Sequence, residues 1–203
     1  MPPPAYTFGV RVTWDEGKDL ENQRKHGLSF EEAKELLAPG TDYLEIFDEA
    51  HSDSEERFIA IGPIARGLIL VVWTEGDDET TRIISARSAT DRESPLPPLH
   101  GRTPMSDIPE LTDEQFARAL PARVRRRLMQ GQIESGEDVA ALRRFVGLTQ
   151  VQFALAMGIS VHTLRNWEQG RRHPEGPAIA LLRIAARHPR IIRENIQGIE
   201  SAA

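Results

Sequence analysis

The residues with the clearest chemical capacity lie between Leu148 and Arg172 of this 203-residue chain. Val161, His162, Thr163, Arg165 and Asn166 fall together in a short stretch whose residue types suit the edges of base pairs. Arginine matches guanine, asparagine matches adenine, and a valine or threonine methyl meets the methyl of thymine. Ser160 stands just before them, and Gln150, Arg171 and Arg172 flank them where phosphate contact is expected. Phosphate contacts would supply affinity and salt dependence, while the base edges would supply sequence choice. His162 reads equally well as a solvated helix residue.

That chemistry needs elements to hold it. Thr149 is expected to cap a short helix with Phe153, Ala154 and Met157 on its inner face. Gly158 would end the helix in a left-handed residue, and Ile159 would fill the angle that follows. Ser160 then caps a second helix, with Leu164 and Trp167 facing inward, that stops near Gly170. Two short helices joined by such a turn can offer the second to the major groove of double-stranded operator DNA. One such helix reads a half-site, so a homodimer is expected, with residues 178–196 as the candidate interface.

This stretch resembles the Cro/repressor-type helix-turn-helix of HigA-like antitoxins. The pieces that carry the resemblance are LTQ at 148–150, Ala154, Gly158-Ile159-Ser160, NWEQGRR at 166–172 and GPAIALL at 176–182. In that family Glu168 is usually structural, so the resemblance does not place it on DNA. The resemblance also implies that the protein binds its own promoter.

The first half has a different character. Residues 6–13 are expected to form a strand, followed by a helix capped by Asp15 and ended by Gly27. Ser29 and Glu32 form a capping box for a second helix through residue 37. Strands are expected at 57–61, 67–73 and 80–86, with turns at 62–67 and 76–78. Two helices plus a small antiparallel sheet make an α+β domain.

Within it, WDEGKDLENQRKHGLSFEEA at 14–33, ERFIAIG at 56–62, LVVWTE at 70–75 and RIISAR at 82–87 resemble BrnT-type toxins. The resemblance implies a RelE-like fold and a ribonuclease that blocks translation. Metal-free RNA cleavage uses the neighbouring 2′-hydroxyl as nucleophile, with a base near it, cations at the phosphate and an acid for the leaving oxygen. Lys25, His26, Arg82 and Arg87 are the expected catalytic set, with His26 the proton-transfer candidate and Lys18 an RNA contact. Arg82 and Arg87 are five residues apart, so an unbroken strand would turn them to opposite faces. The plainer alternatives are solvated lysines, a histidine that favours the helix dipole, and arginines paired with nearby carboxylates. Two positions depart from the family pattern. Ser88 stands where a basic residue is usual, and the chain runs into prolines after Glu93.

The expected organisation is therefore two-domain: a BrnT-like domain over 1–93, a Pro-rich linker over 94–104, an antitoxin arm over 105–135 and an all-α helix-turn-helix domain over 136–203. The linker holds four prolines and a glycine, and Met105 follows it as if it opened a second protein. In the arm Thr112 starts one helix and Pro121 restarts the chain into a second over 124–130, and Phe116, Leu120, Val124 and Leu128, at helical spacing, would cover the toxin. Arg123, Arg125, Arg126 and Arg127 would meet its acidic surface. Charge divides the same way: residues 1–104 hold 11 Lys and Arg against 20 Asp and Glu, and residues 105–203 hold 14 against 11. The basic half suits a polyanion, and the acidic half suits the basic one.

Two functional readings follow. One is a ribonuclease toxin and its antitoxin in one chain, in contact within or between chains. The other is a DNA-binding regulator whose toxin-like domain is inactive. No glycine-rich phosphate loop, nucleophile elbow or metal-ligand cluster points to another enzyme, so no cofactor or metal is expected. Cysteine is absent, which excludes disulfides and thiolate metal sites. No apolar run reaches the ~18 residues of a membrane span, and a cytoplasmic location is expected.

Overall fold

A computed structural model describes residues 11–76, 80–93 and 109–200, with side chains through 196. In chain order the elements are β1 (Arg11–Thr13), α1 (Glu16–His26), α2 (Phe30–Ala33), β2 (Leu44–Phe47), β3 (Arg57–Ile64), β4 (Gly67–Glu75) and β5 (Thr80–Ser88). There follow α3 (Asp113–Ala117), β6 (Leu120–Pro121), α4 (Ala122–Met129), α5 (Gly136–Val146), α6 (Gln150–Ala156), α7 (Val161–Glu168), α8 (Pro177–Arg187) and α9 (Pro189–Glu200). Packing divides the chain into two units that do not follow chain order. One comprises Met1–Tyr43 and Ile59–Glu110, the other Leu44–Phe58 and Leu111–Ala203.

The first unit is α+β. Asp15 caps α1 by accepting from the Lys18 amide, and Gly27 closes it at φ 63°, as expected. Ser29 and Glu32 complete the capping box of α2, whose chain tightens into a 3-10 turn over Lys34–Leu37. The strands run β1-β5-β4-β3. β4 and β5 are antiparallel, whereas β1 lies parallel to β5, a departure from the all-antiparallel sheet expected. Gly62 lies inside β3 rather than in a turn. A Cβ there would sit 2.7 Å from Leu36 Cδ1 and 2.8 Å from Tyr43 Cβ, so the glycine serves close packing.

Beyond the end of β1 the edge of β5 is completed by a side chain. Asn22, buried on α1, accepts from the Ala86 amide at 3.0 Å and donates to the carbonyls of Ala86 and Leu28 at 2.8 Å each. The side chain thereby replaces a neighbouring strand and fixes helix to sheet.

The second unit is helical around Phe58, Phe145, Phe153, Leu164 and Leu182, all nearly inaccessible. Thr112, Thr149 and Ser160 cap α3, α6 and α7 by accepting amides three residues on. The arm holds two helices, α3 and α4, with the break before Pro121 as expected; between them Leu120 enters β6, which pairs antiparallel with β2. Pro121 cannot continue the α3 helix but suits the start of α4. The expected linker and residues 6–10 lie outside the described residues.

Candidate nucleic-acid interfaces

In the second unit, α6 and α7 form the two-helix motif with Gly158 in the left-handed conformation at φ 65°. Leu164 and Trp167 are buried, so α7 turns its other side outward. Ser160, His162, Arg165, Arg171 and Arg172 are exposed, and Gln150, Val161, Thr163 and Asn166 are half-buried. The structure thus gathers the expected base-reading and phosphate residues on or beside one helix. Glu168 has a structural position. Its carboxylate accepts from Arg143 Nε at 2.6 Å and from Gln150 Nε2 at 2.6 Å. Gln150 Oε1 in turn accepts from Arg165 Nε at 3.2 Å. The start of α5 presses on the end of α7. A Cβ on Gly136 would lie 2.5 Å from the Trp167 carbonyl oxygen and closer still to that of Glu168.

In the first unit the cations are less uniform. Lys18 is exposed on the first turn of α1. Lys25 is exposed and pairs with Glu21 at 2.9 Å, while His26 is half-buried at the helix end. A cation not selected from the sequence joins them. Arg66, between β3 and β4, sits with Nη2 3.8 Å from where a Gly27 Cβ would be and pairs with Glu32 at 3.0 Å. Only the packing of this hairpin turn beside Gly27 and Glu32 reveals that neighbour. Glu32 is held below its usual range by the Ser29 amide, then the Ser29 hydroxyl and the Arg66 guanidinium.

Arg82 and Arg87 do not lie on opposite faces. Val72 pairs with Ser85 and Trp73 with Ile83, so Ile84 is an extra residue that interrupts the alternation of β5. Arg82 opposite Thr74 and Arg87 opposite Leu70 therefore share one face. Their environments differ. Arg82 is exposed, whereas Arg87 is fully buried, its Nη1 and Nη2 on Glu93 at 2.6 and 2.7 Å. Arg87 also donates to the Pro109 carbonyl at 3.0 Å, and Glu93 accepts from the Thr90 amide at 2.8 Å. A guanidinium so engaged fixes the chain on both sides of residues 94–108.

The second unit has a further feature: it incorporates Leu44–Phe58. Arg125 of α4 is buried, its Nη1 3.4 Å from Glu45 and its Nε donating to the Ala186 carbonyl at 2.9 Å. The guanidinium carbon lies 4.0 Å over the ring of Phe58, which stacks on Phe145 at 6.4 Å. Glu49 receives Arg118 at 3.0 Å and also Arg193, which donates to the Val146 and Gly147 carbonyls at the end of α5. Glu56 lies 2.9 Å from His188 Nδ1 and accepts the Arg190 amide at 2.9 Å. Arg125 and Arg127 of the arm, like Arg118, are thus ion-paired inside this unit, Arg127 with Asp138 at 2.5 Å.

Residues 14–93 match the family model for the ribonuclease toxin BrnT of type II toxin-antitoxin systems, and residues 139–182 match a helix-turn-helix model. The chain joins a BrnT-family domain to a helix-turn-helix domain. Antitoxin HigA-2 of Vibrio cholerae serotype O1 is 38% identical over 55 residues, 27% of this chain and 53% of that protein. The chain therefore spans about half the length of this curated relative. The crystal structure of the ribonuclease toxin BrnT of Brucella abortus is 28% identical over 40% of this chain and 97% of that one, with a TM-score of 0.31. The segment Leu44–Phe58, which packs with the helices, lies inside the stretch that matches the BrnT model. Among the described residues no helix is long and apolar enough to cross a membrane.

Proposed function

We propose that this protein is a toxin–antitoxin pair on one polypeptide, in which a BrnT-like ribonuclease is silenced in cis by the helix-turn-helix half. That half binds operator DNA as a homodimer and represses its own promoter in the cytoplasm. The observation that carries the reading is the incorporation of Leu44–Phe58 into the helical unit through β6, Arg125, Arg118, Arg193 and the start of α9. A stretch of toxin-like sequence is thereby held by antitoxin-like elements. An arm at the N-terminal side of an antitoxin that adds a strand and inserts an arginine is a strong form of such docking. The linkage keeps the partners at an effective concentration on the order of mM.

On the RNA side, Lys25, Arg82 and Lys18 supply cations to the scissile phosphate, and His26 moves the proton. Arg87 stands apart from this set, because its guanidinium is committed to Glu93 and the Pro109 carbonyl. On the DNA side, Val161, His162, Thr163, Arg165 and Asn166 read base edges, with Ser160 capping their helix. Arg171 and Arg172 lie at the phosphate backbone, and Gln150 stands beside Arg165. The alternative, a DNA-binding regulator with an inactive toxin-like domain, draws on the burial of Arg87 and on Ser88 in place of a basic residue.

The test is Glu49→Arg in the full chain, which sets a third cation between Arg118 and Arg193. Cleavage of total RNA and growth arrest by this variant, against silence from the natural chain, are expected. If hydrogen exchange shows Leu44–Phe58 released and RNA still stays intact, the regulator reading replaces this one.

A further inference from the structure

Arg165 is the one expected base reader on α7 whose guanidinium is tethered by a hydrogen bond to another element. Its Nε donates to Gln150 Oε1 at 3.2 Å, across from α7 to the first residue of α6. A primary amide can present either its oxygen or its nitrogen to a neighbour. At Gln150 the choice is made by Glu168. The buried carboxylate, already fixed by Arg143 Nε at 2.6 Å, accepts Gln150 Nε2 at 2.6 Å. The flipped amide would put two oxygens against each other, so the Gln150 oxygen must face Arg165.

From this chain of hydrogen bonds we infer that Gln150 and Glu168 are positioning residues that preset Arg165 to read a guanine. With Nε occupied, Arg165 has its two terminal amines left for a ligand. Those two nitrogens form the fork that matches the O6 and N7 acceptors of guanine. An exposed arginine loses side-chain entropy when it docks, and a guanidinium held in advance loses less. The same tether disfavours the swing that would let Arg165 settle on a phosphate. Gln150 thus acts through Arg165 rather than on the DNA backbone, and Glu168 sets specificity without touching DNA. Arg143 is the anchor, since its Nη1 also holds the Leu148 carbonyl at 3.0 Å.

The inference rests on the DNA-binding reading and is tested separately from it. Full-length protein is used to select from a duplex library with a central randomised block, and base preference is read position by position. The natural chain is expected to enrich a guanine at one position by about fivefold to 150-fold over other bases, and Arg165→Ala to abolish that preference alone. Gln150→Ala and Glu168→Gln are expected to flatten the same position while the other positions keep their ranking. Gln150→Glu places two carboxylates face to face and is expected to do likewise. The exchanged pair, Gln150→Glu with Glu168→Gln, rebuilds donor and acceptor and is expected to restore the guanine. A merely structural role would weaken every position equally, and that result overturns the inference. So does a guanine preference that survives Gln150→Ala. If Glu168→Gln fails to fold, Gln150→Ala and the exchanged pair decide. A natural chain that enriches no sequence would overturn the DNA-binding reading and this inference with it.

Discussion

Arg125→Ala removes the side chain on which the hold on Leu44–Phe58 depends most. Arg125 is 2% exposed and Glu45 4%. Truncating one partner of a buried pair costs about 3–5 kcal/mol, because the remaining charge stays buried without its counter-ion. The same change takes donors from the Ala186 and Arg187 carbonyls, at 2.9 and 3.2 Å, and the cation from the face of Phe58. These losses overlap and belong within that range rather than on top of it. Hydrogen exchange read by mass spectrometry on peptides spanning 44–58 reports the opening directly. A loss of about 3–5 kcal/mol corresponds to exchange faster by roughly two to four powers of ten. The double change Arg125→Met with Glu45→Leu removes both charges and fills the volume, so it is expected to regain most of the protection. Protection unchanged by Arg125→Ala, or a double variant no better than the single one, would refute the reasoning.

Gly136→Ala drives a methyl into the carbonyls of Trp167 and Glu168, and such overpacking costs roughly 1–3 kcal/mol. It is expected to lower the thermal midpoint and to weaken DNA binding through displacement of α7; an unchanged melt contradicts this close approach. Asn22→Ala leaves the amide and carbonyl of Ala86 and the carbonyl of Leu28 without their partner, at about 1–3 kcal/mol for a buried group. Denaturant titration should show that loss, and a change under 1 kcal/mol argues against Asn22 as a strand substitute. The Glu32 carboxyl is held below its ordinary pKa in the folded state, first by the Ser29 amide. Its contribution is therefore full above that value and is lost as pH falls through the lowered folded one. The stability gap between the natural chain and Glu32→Gln should close on acidification; a gap constant with pH would contradict the assignment.

Much of the local structure was legible because its causes lie three or four residues apart. Asp15 with Gly27, Ser29 with Glu32, and Thr149 and Ser160 before their helices each mark a terminus by chemistry available within one turn. Placement of the α7 residues followed, since caps and core positions on both helices orient them together. What escaped depends on partners far along the chain. Leu44–Phe47 has too little alternation to stand alone, and it becomes a strand against Leu120–Pro121. Arg125 meets Glu45 across 80 residues and His188 meets Glu56 across 132. The extra residue Ile84 resets the faces of β5, and no local signal announces it. For Arg87 the sequence offers both an RNA contact and a carboxylate pair, and only the fold brings Glu93 to it and buries the two together. Arg66 has no local signal because its neighbours, Glu32 of α2 and Gly27 after α1, come from a distant part of the chain.

Expression of residues 1–104 alone, with residues 105–203 supplied or withheld on a second plasmid, tests the central claim most directly. The account predicts growth arrest and RNA cleavage by the first piece, rescue by the second, and loss of arrest on Arg82→Ala. A soluble first piece that accumulates without arresting growth or cutting RNA would contradict it.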